Sequence, residues 1–151
     1  FNAFPVDRSG SNPRNVSAKT LLQHKVPVLV FPEGTRSPSG EIGRFKPGAA
    51  ALAAATGVPV LPVAIVGAYQ AHPRGSKWPK KGRLPVAVVF GEPMRAQEGE
   101  TAQAFMARIR DRVIAMHEEQ APHILGTSST DSRTRPAPAQ GDPTPSKENE
   151  Q

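Results

Sequence analysis

Val28-Leu29-Val30-Phe31-Pro32-Glu33-Gly34-Thr35-Arg36-Ser37 is a short apolar run that ends in a turn carrying one acid and one base. Residues 27–31 hold no charge and are rich in β-branched and aromatic side chains, which predicts a buried strand. Pro32 has no N–H for a sheet ladder, so pairing should stop there. Gly34 lets the backbone turn and come close to a ligand. Glu33 and Arg36 then stand just past the carboxyl end of the strand, where open α/β sheets bind ligands. From these residues alone two readings stay open. One is a solvated surface loop in which Glu33 and Arg36 pair with each other; the other is a binding turn.

The string Phe31-Pro32-Glu33-Gly34-Thr35-Arg36-Ser37 resembles the signature of the glycerolipid acyltransferases, the lysophosphatidic acid acyltransferases and their relatives, over seven consecutive residues. Three further stretches fit the same family in the same order. Phe4-Pro5-Val6-Asp7-Arg8 resembles its second motif, with Pro5 where the family usually has an aliphatic residue. Phe45-Lys46-Pro47-Gly48 resembles the Phe-Lys-x-Gly that follows the Glu-Gly-Thr-Arg motif. Val58-Pro59-Val60-Leu61-Pro62-Val63 resembles the fourth motif, expected to shape a pocket without chemistry of its own. Beyond Gly67 the likeness rests on architecture. The resemblance implies an α/β fold like that of the glycerol-3-phosphate acyltransferases, with a mostly parallel sheet flanked by helices.

Composition sets limits. The chain has 151 residues and a net charge of +6. Residues 122–151 are rich in Pro, Ser and Thr and hold three bases and four acids, against sixteen bases and nine acids in residues 1–121. We therefore expect an acyltransferase domain over 1–121 and a tail over 122–151. Its last part, 126–151, is expected to be disordered, because it cannot bury enough apolar surface to offset chain entropy. The excess of bases in the domain favours anionic partners. There is no cysteine, so disulfides and thiol chemistry are excluded. His24, His72, His117 and His123 show no metal spacing, and neither a metal nor a cofactor is expected. No apolar run approaches the ~20 residues that span a bilayer, and no signal peptide is visible.

Around the motifs, residues 11–25 predict a helix capped by Ser11. Pro47-Gly48 opens an alanine-rich helix to about Thr56, whose amino end would favour an anion. Residues 57–67 predict a turn and a buried strand, with Pro62 demanding an edge or a bulge. Residues 68–84 predict a long basic loop in which Arg74, Lys77, Lys80, Lys81 and Arg83 surround Trp78 without an acid. That loop is either simply solvated or an interfacial anchor. A further strand is expected over 85–91. From Thr101 to Glu119, Ala102, Phe105, Met106, Ile109, Val113 and Met116 recur at three- and four-residue steps and predict an amphipathic helix, with Arg108, Arg110 and Arg112 off the stripe.

The family transfers an acyl group from a thioester to a lysophospholipid hydroxyl. A histidine in a His-x4-Asp motif is the general base, and no histidine of this chain has Asp at that spacing. The resemblance therefore implies that the base lies upstream of Phe1, in a longer protein of which this is a C-terminal piece. It assigns no catalytic residue here. It implies that Arg8, Arg36 and Lys46 hold the acceptor phosphate, that Glu33 orders the glycerol and the arginines, and that Gly34 and Thr35 shape the loop. The acceptor implied is 1-acylglycerol-3-phosphate and the co-substrate acyl-CoA or acyl carrier protein. The setting would be the cytoplasmic face of an anionic membrane, reached peripherally or through an upstream anchor. Two alternatives remain at this stage: a non-catalytic anionic-lipid-binding domain and a basic nucleic-acid-binding module. The second is disfavoured because one Trp and one Tyr offer little stacking surface.

Overall fold

The computed structural model describes residues 18–126. Arg8, the first part (11–17) of the helix expected over 11–25 and the tail from 127 onward lie outside the described residues. The elements run α1 (Ala18–Gln23), α2 (Gly48–Thr56), β1 (Val63–Val66), α3 (Ala68–Ala71), β2 (Ala87–Phe90) and α4 (Ala102–Leu125).

Helix α4 is the platform. Thr101 caps it by accepting the Ala104 N–H at 3.2 Å. Phe105, Met106, Ile109, Val113 and Met116 are its buried stripe, as the periodicity predicts. The helix runs through Pro122 to Leu125, past the expected boundary at 121. The alanine-rich α2 buries Ala50 and Ala53 in the core it shares with α4, with Ala49 packed against it. It ends at Gly57, whose φ of 67° is the left-handed C-terminal cap that glycine favours.

The sheet has two strands, paired antiparallel with Val63 opposite Phe90 and Val66 opposite Ala87. The expected mostly parallel sheet is not what the described residues form. A parallel return needs a crossover, usually a helix that covers the sheet. The connection over 67–86 holds only the four-residue α3. Strand β1 is also shorter than expected, and Pro62 explains it. The pair Val60 and Met94 exchange backbone bonds at 2.8 and 2.7 Å, but Pro62 can only accept, from Gly91 N–H at 2.9 Å. The ladder is interrupted there and resumes at Val63. At the far end the turn needs glycine: at Gly67, φ is 85° and a Cβ would meet the Pro85 carbonyl oxygen.

Alternation gives the sheet two faces. Ala64 and Val66 are buried, Ala64 in one cluster with the α4 stripe, and Val89 packs on the same core, while Ile65, Val88 and Phe90 are exposed. The buried strand expected over 27–31 does not form. Its backbone pairs with no strand among the described residues, and Leu29 and Phe31 are 78% and 67% exposed. A lone extended run gains nothing from β propensity without a ladder to satisfy its N–H and C=O groups.

Truncating Phe105, which is fully buried, should lower unfolding stability by roughly 3–5 kcal/mol in urea denaturation. A loss under about 1 kcal/mol would contradict this account of the core. A second expectation concerns the start of α4. The Glu100 carboxylate accepts from Arg108 Nε at 2.7 Å and Nη2 at 2.8 Å, and from Gln97 N–H at 2.9 Å. Arg108 first, and the Gln97 amide second, hold Glu100 down to about 2 from its usual 4.5. The folded value is depressed, so the contribution is complete above pH 4.5 and is lost as pH falls toward 2. The stability difference between wild type and Glu100→Gln, measured by urea titration at several pH values, should shrink across that window. A difference independent of pH would contradict the pairing.

Candidate functional site

The site is built by folding two motif segments onto each other. In Phe31-Pro32-Glu33-Gly34 the Gly34 N–H donates to the Phe31 carbonyl at 3.0 Å. Proline at the second position and glycine at the fourth suit such a turn. The segment ending in Lys46 then returns to it, and the Lys46 N–H donates to the Pro32 carbonyl at 2.9 Å. Phe45, 9% exposed, turns into the core beside Ala50 and Phe105. Its burial fixes the segment, and its neighbour Lys46 is left on the outside.

Gly34 and Lys46 are in direct apposition. A Cβ on residue 34 would stand 2.9 Å from Lys46 Nζ, on a backbone whose φ is +72°. Glycine here gives both the turn and the room for the ammonium. Glu33, half-buried, uses Oε2 to accept the Gly43 N–H at 3.0 Å. It therefore joins the two segments, and no Glu33–Arg36 ion pair occurs among the described residues. The surface-loop reading, in which those two charges pair with each other, does not describe this geometry. Arg36 is exposed, and neither it nor Lys46 has an acidic partner among the described residues. Thr35 is exposed and lines, with Glu33, Ser37, Ile42 and Arg44, an open depression of about 270 Å³.

The structure thus brings Glu33, Gly34, Thr35 and Lys46 into one turn-on-segment arrangement and leaves Arg36 on its exposed side; Arg8 lies outside the described residues. Among the described residues no group of three or more His, Asp or Glu side chains could hold a metal ion. Two supporting residues escaped the sequence reading. Tyr69, in α3, donates its hydroxyl to the Pro38 carbonyl at 3.1 Å, and its ring abuts Gly40. Arg110, in α4, donates from Nε to the Gly43 carbonyl at 2.8 Å and from Nη2 to the Ile42 carbonyl at 3.0 Å. Arg110 follows Ile109 and stands one helical step from both Met106 and Val113, so it flanks the buried stripe. That flanking position was the available signal.

Comparison with known proteins identifies the family to which these motifs belong. The Acyltransferase family profile matches residues 1–66. A 1-acyl-sn-glycerol-3-phosphate acyltransferase of Pseudomonas aeruginosa is 40% identical over 114 residues, covering 73% of this chain and 41% of that protein. A chloroplastic 1-acyl-sn-glycerol-3-phosphate acyltransferase of Brassica napus is 47% identical over 57 residues, 38% of this chain and 17% of that protein. The human 1-acyl-sn-glycerol-3-phosphate acyltransferase alpha is 30% identical over 102 residues, 68% of this chain and 36% of that protein. The chain spans less than half the length of these relatives. No solved structure gives a significant match. With the profile falling on both motif segments and the Pseudomonas alignment extending over most of the chain, the chain belongs to the acyltransferase family that includes the 1-acyl-sn-glycerol-3-phosphate acyltransferases.

Proposed function

We propose that this chain carries the acceptor-binding part of an enzyme that moves an acyl group from acyl-CoA or acyl carrier protein to the sn-2 hydroxyl of 1-acylglycerol-3-phosphate, forming phosphatidic acid. The observation that carries the reading is the apposition of the two motif segments: Lys46 Nζ sits over Gly34, beside a turn whose Arg36 has no acidic partner among the described residues. A phosphate monoester suits this pairing of bases. Arg36 offers a planar fork for two phosphate oxygens, and Lys46 offers a point charge. Helix α2 begins two residues beyond Lys46 with no side-chain cap, so its amino end adds favourable potential. Thr35 contributes a hydroxyl at the rim, and Glu33 holds the segments together. Arg8 would join them from the family's second motif.

In the reaction, the acceptor hydroxyl attacks the thioester carbonyl and gives its proton to a base. The tetrahedral intermediate then expels the thiolate, which is reprotonated. The 151 residues contain no His-x4-Asp pair, so none of them is assigned as that base. The residues named above bind and orient the acceptor.

The membrane surface enters through the loop over 72–83. His72 Nε2 lies 3.1 Å from the Ser76 carbonyl oxygen, Ser76 Oγ donates to the Trp78 carbonyl at 2.5 Å, and Lys80 N–H donates to Ala71 at 2.8 Å. Trp78 is left 79% exposed among five bases. An indole and lysines together suit the headgroup layer of an anionic bilayer. No helix among the described residues is long and apolar enough to cross a membrane.

Three outcomes are expected. Arg36→Ala should weaken binding of a short-chain 1-acylglycerol-3-phosphate about 10- to 150-fold in calorimetry, the loss of a charge-assisted pair of about 1.5–3 kcal/mol, with Arg36→Lys recovering part. The neutral 1-acylglycerol should bind wild type and Arg36→Ala alike; unchanged affinity for the phosphate-bearing ligand in Arg36→Ala refutes the clamp. Given acyl-CoA and acceptor, the 151-residue chain alone should bind without turnover, because losing a general base costs about 10²–10⁴-fold. Measured turnover would show that the chain does hold a base. Sedimentation with vesicles containing anionic lipid should be salt-sensitive and should fall when Trp78→Ala is combined with neutralised Lys80 and Lys81. Equal binding to neutral vesicles would refute the loop's role.

A further inference from the structure

The Ile42–Gly43 peptide links an acid to a base. Its N–H, on Gly43, donates to Glu33 Oε2 at 3.0 Å, and its C=O, on Ile42, accepts from Arg110 Nη2 at 3.0 Å. The second arm of the same guanidinium, Nε, reaches the next carbonyl, that of Gly43, at 2.8 Å. The peptide dipole is thereby aligned, with its positive end on the carboxylate and its negative end on the guanidinium. Such chains strengthen each member. Arg110 is half-buried and comes from the core helix, 67 residues along the chain from Gly43.

We infer that Arg110 is a positioning residue for acceptor binding: through the Ile42–Gly43 peptide it balances Glu33 and so keeps Arg36 free to take the anion. The inference rests on the proposed function, which supplies the anion. Glu33 and Arg36 are three residues apart in one turn, so they are natural partners unless something else satisfies the acid. The relayed contact does so from behind. It also fixes the strip that runs from Ile42 to Lys46, because the guanidinium fork holds its first two carbonyls, those of Ile42 and Gly43, against a helix anchored in the core. A lysine at 110 could reach one carbonyl and would grade the effect instead of abolishing it.

The test uses the whole chain and a short-chain 1-acylglycerol-3-phosphate as the probe, with Arg110→Ala, Arg110→Met, Arg110→Lys and Arg36→Ala. Arg110→Met keeps an apolar stem of similar length and removes the donors, so it covers the case in which Arg110→Ala does not fold. Calorimetry should show affinity about 10-fold weaker for Arg110→Met, with Arg110→Lys between it and wild type. Amide exchange supplies a readout that general destabilisation would not give. Gly43 and Lys46 amides should exchange faster in Arg110→Met, while those of β1, β2 and α4 keep their wild-type protection. If Arg110→Met binds the probe as wild type does while Arg36→Ala does not, the inference fails and the proposed function stands. Uniformly faster exchange across the sheet and α4 would also overturn it, since Arg110 would then serve only stability. If wild type does not bind the probe, the proposed function fails and the inference falls with it.

Discussion

One peptide unit, Ile42–Gly43, holds the candidate site together. Glu33 takes its N–H and Arg110 its C=O. Around it, the Lys46 amide closes onto Pro32 and Tyr69 braces the loop at Pro38. Each link is modest by itself, because a hydrogen bond exchanged with water contributes little net free energy. Together they convert a sixteen-residue stretch, 31–46, from a loop with many conformations into one that meets itself. Phe45 supplies the apolar anchor, since its ring lies in the same core cluster as Phe105 and Ile109. The site is thus a surface feature whose geometry is set by the helix beneath it.

Local patterns in the sequence carried local structure. The stripe from Phe105 to Met116 specified α4 and its buried face, because a 3.6-residue period leaves little choice of which side meets the core. Gly57 marked the end of α2, and Pro62 marked the break in the first strand. Glu33, Gly34 and Lys46 were legible through the motifs that carry them, and the structure sets Lys46 against Gly34 and bonds Glu33 to Gly43. The relation between those motifs was not legible. That Glu33 bonds Gly43 and that Gly34 lies under Lys46 are facts of folding across ten or more residues.

What the sequence could not supply is long-range. The run over 26–31 has strand composition, but composition says nothing about whether a partner strand is alongside, and here the backbone pairs with none among the described residues. The direction of the sheet depended on what the connection over 67–86 could bury, and the four-residue α3 has no fully buried residue. Arg110 looked like a solvent-facing base because it lies off the apolar stripe. Its partners are backbone carbonyls 67 and 68 residues away, and no periodicity encodes them. The exposed apolar face formed by Ile65, Val88 and Phe90 belongs to the same class of fact: alternation assigned two faces, and only packing decided which of them is covered.

The central claim is that Arg36 and Lys46 together receive the phosphate of the acceptor. A crystal structure of the chain with a short-chain 1-acylglycerol-3-phosphate tests it most directly. The account predicts the phosphate group seated between the Arg36 guanidinium and the Lys46 ammonium, above Gly34, with the Glu33–Gly43 bond intact. A phosphate bound elsewhere, such as among the lysines around Trp78, with Arg36 turned onto Glu33, would contradict it.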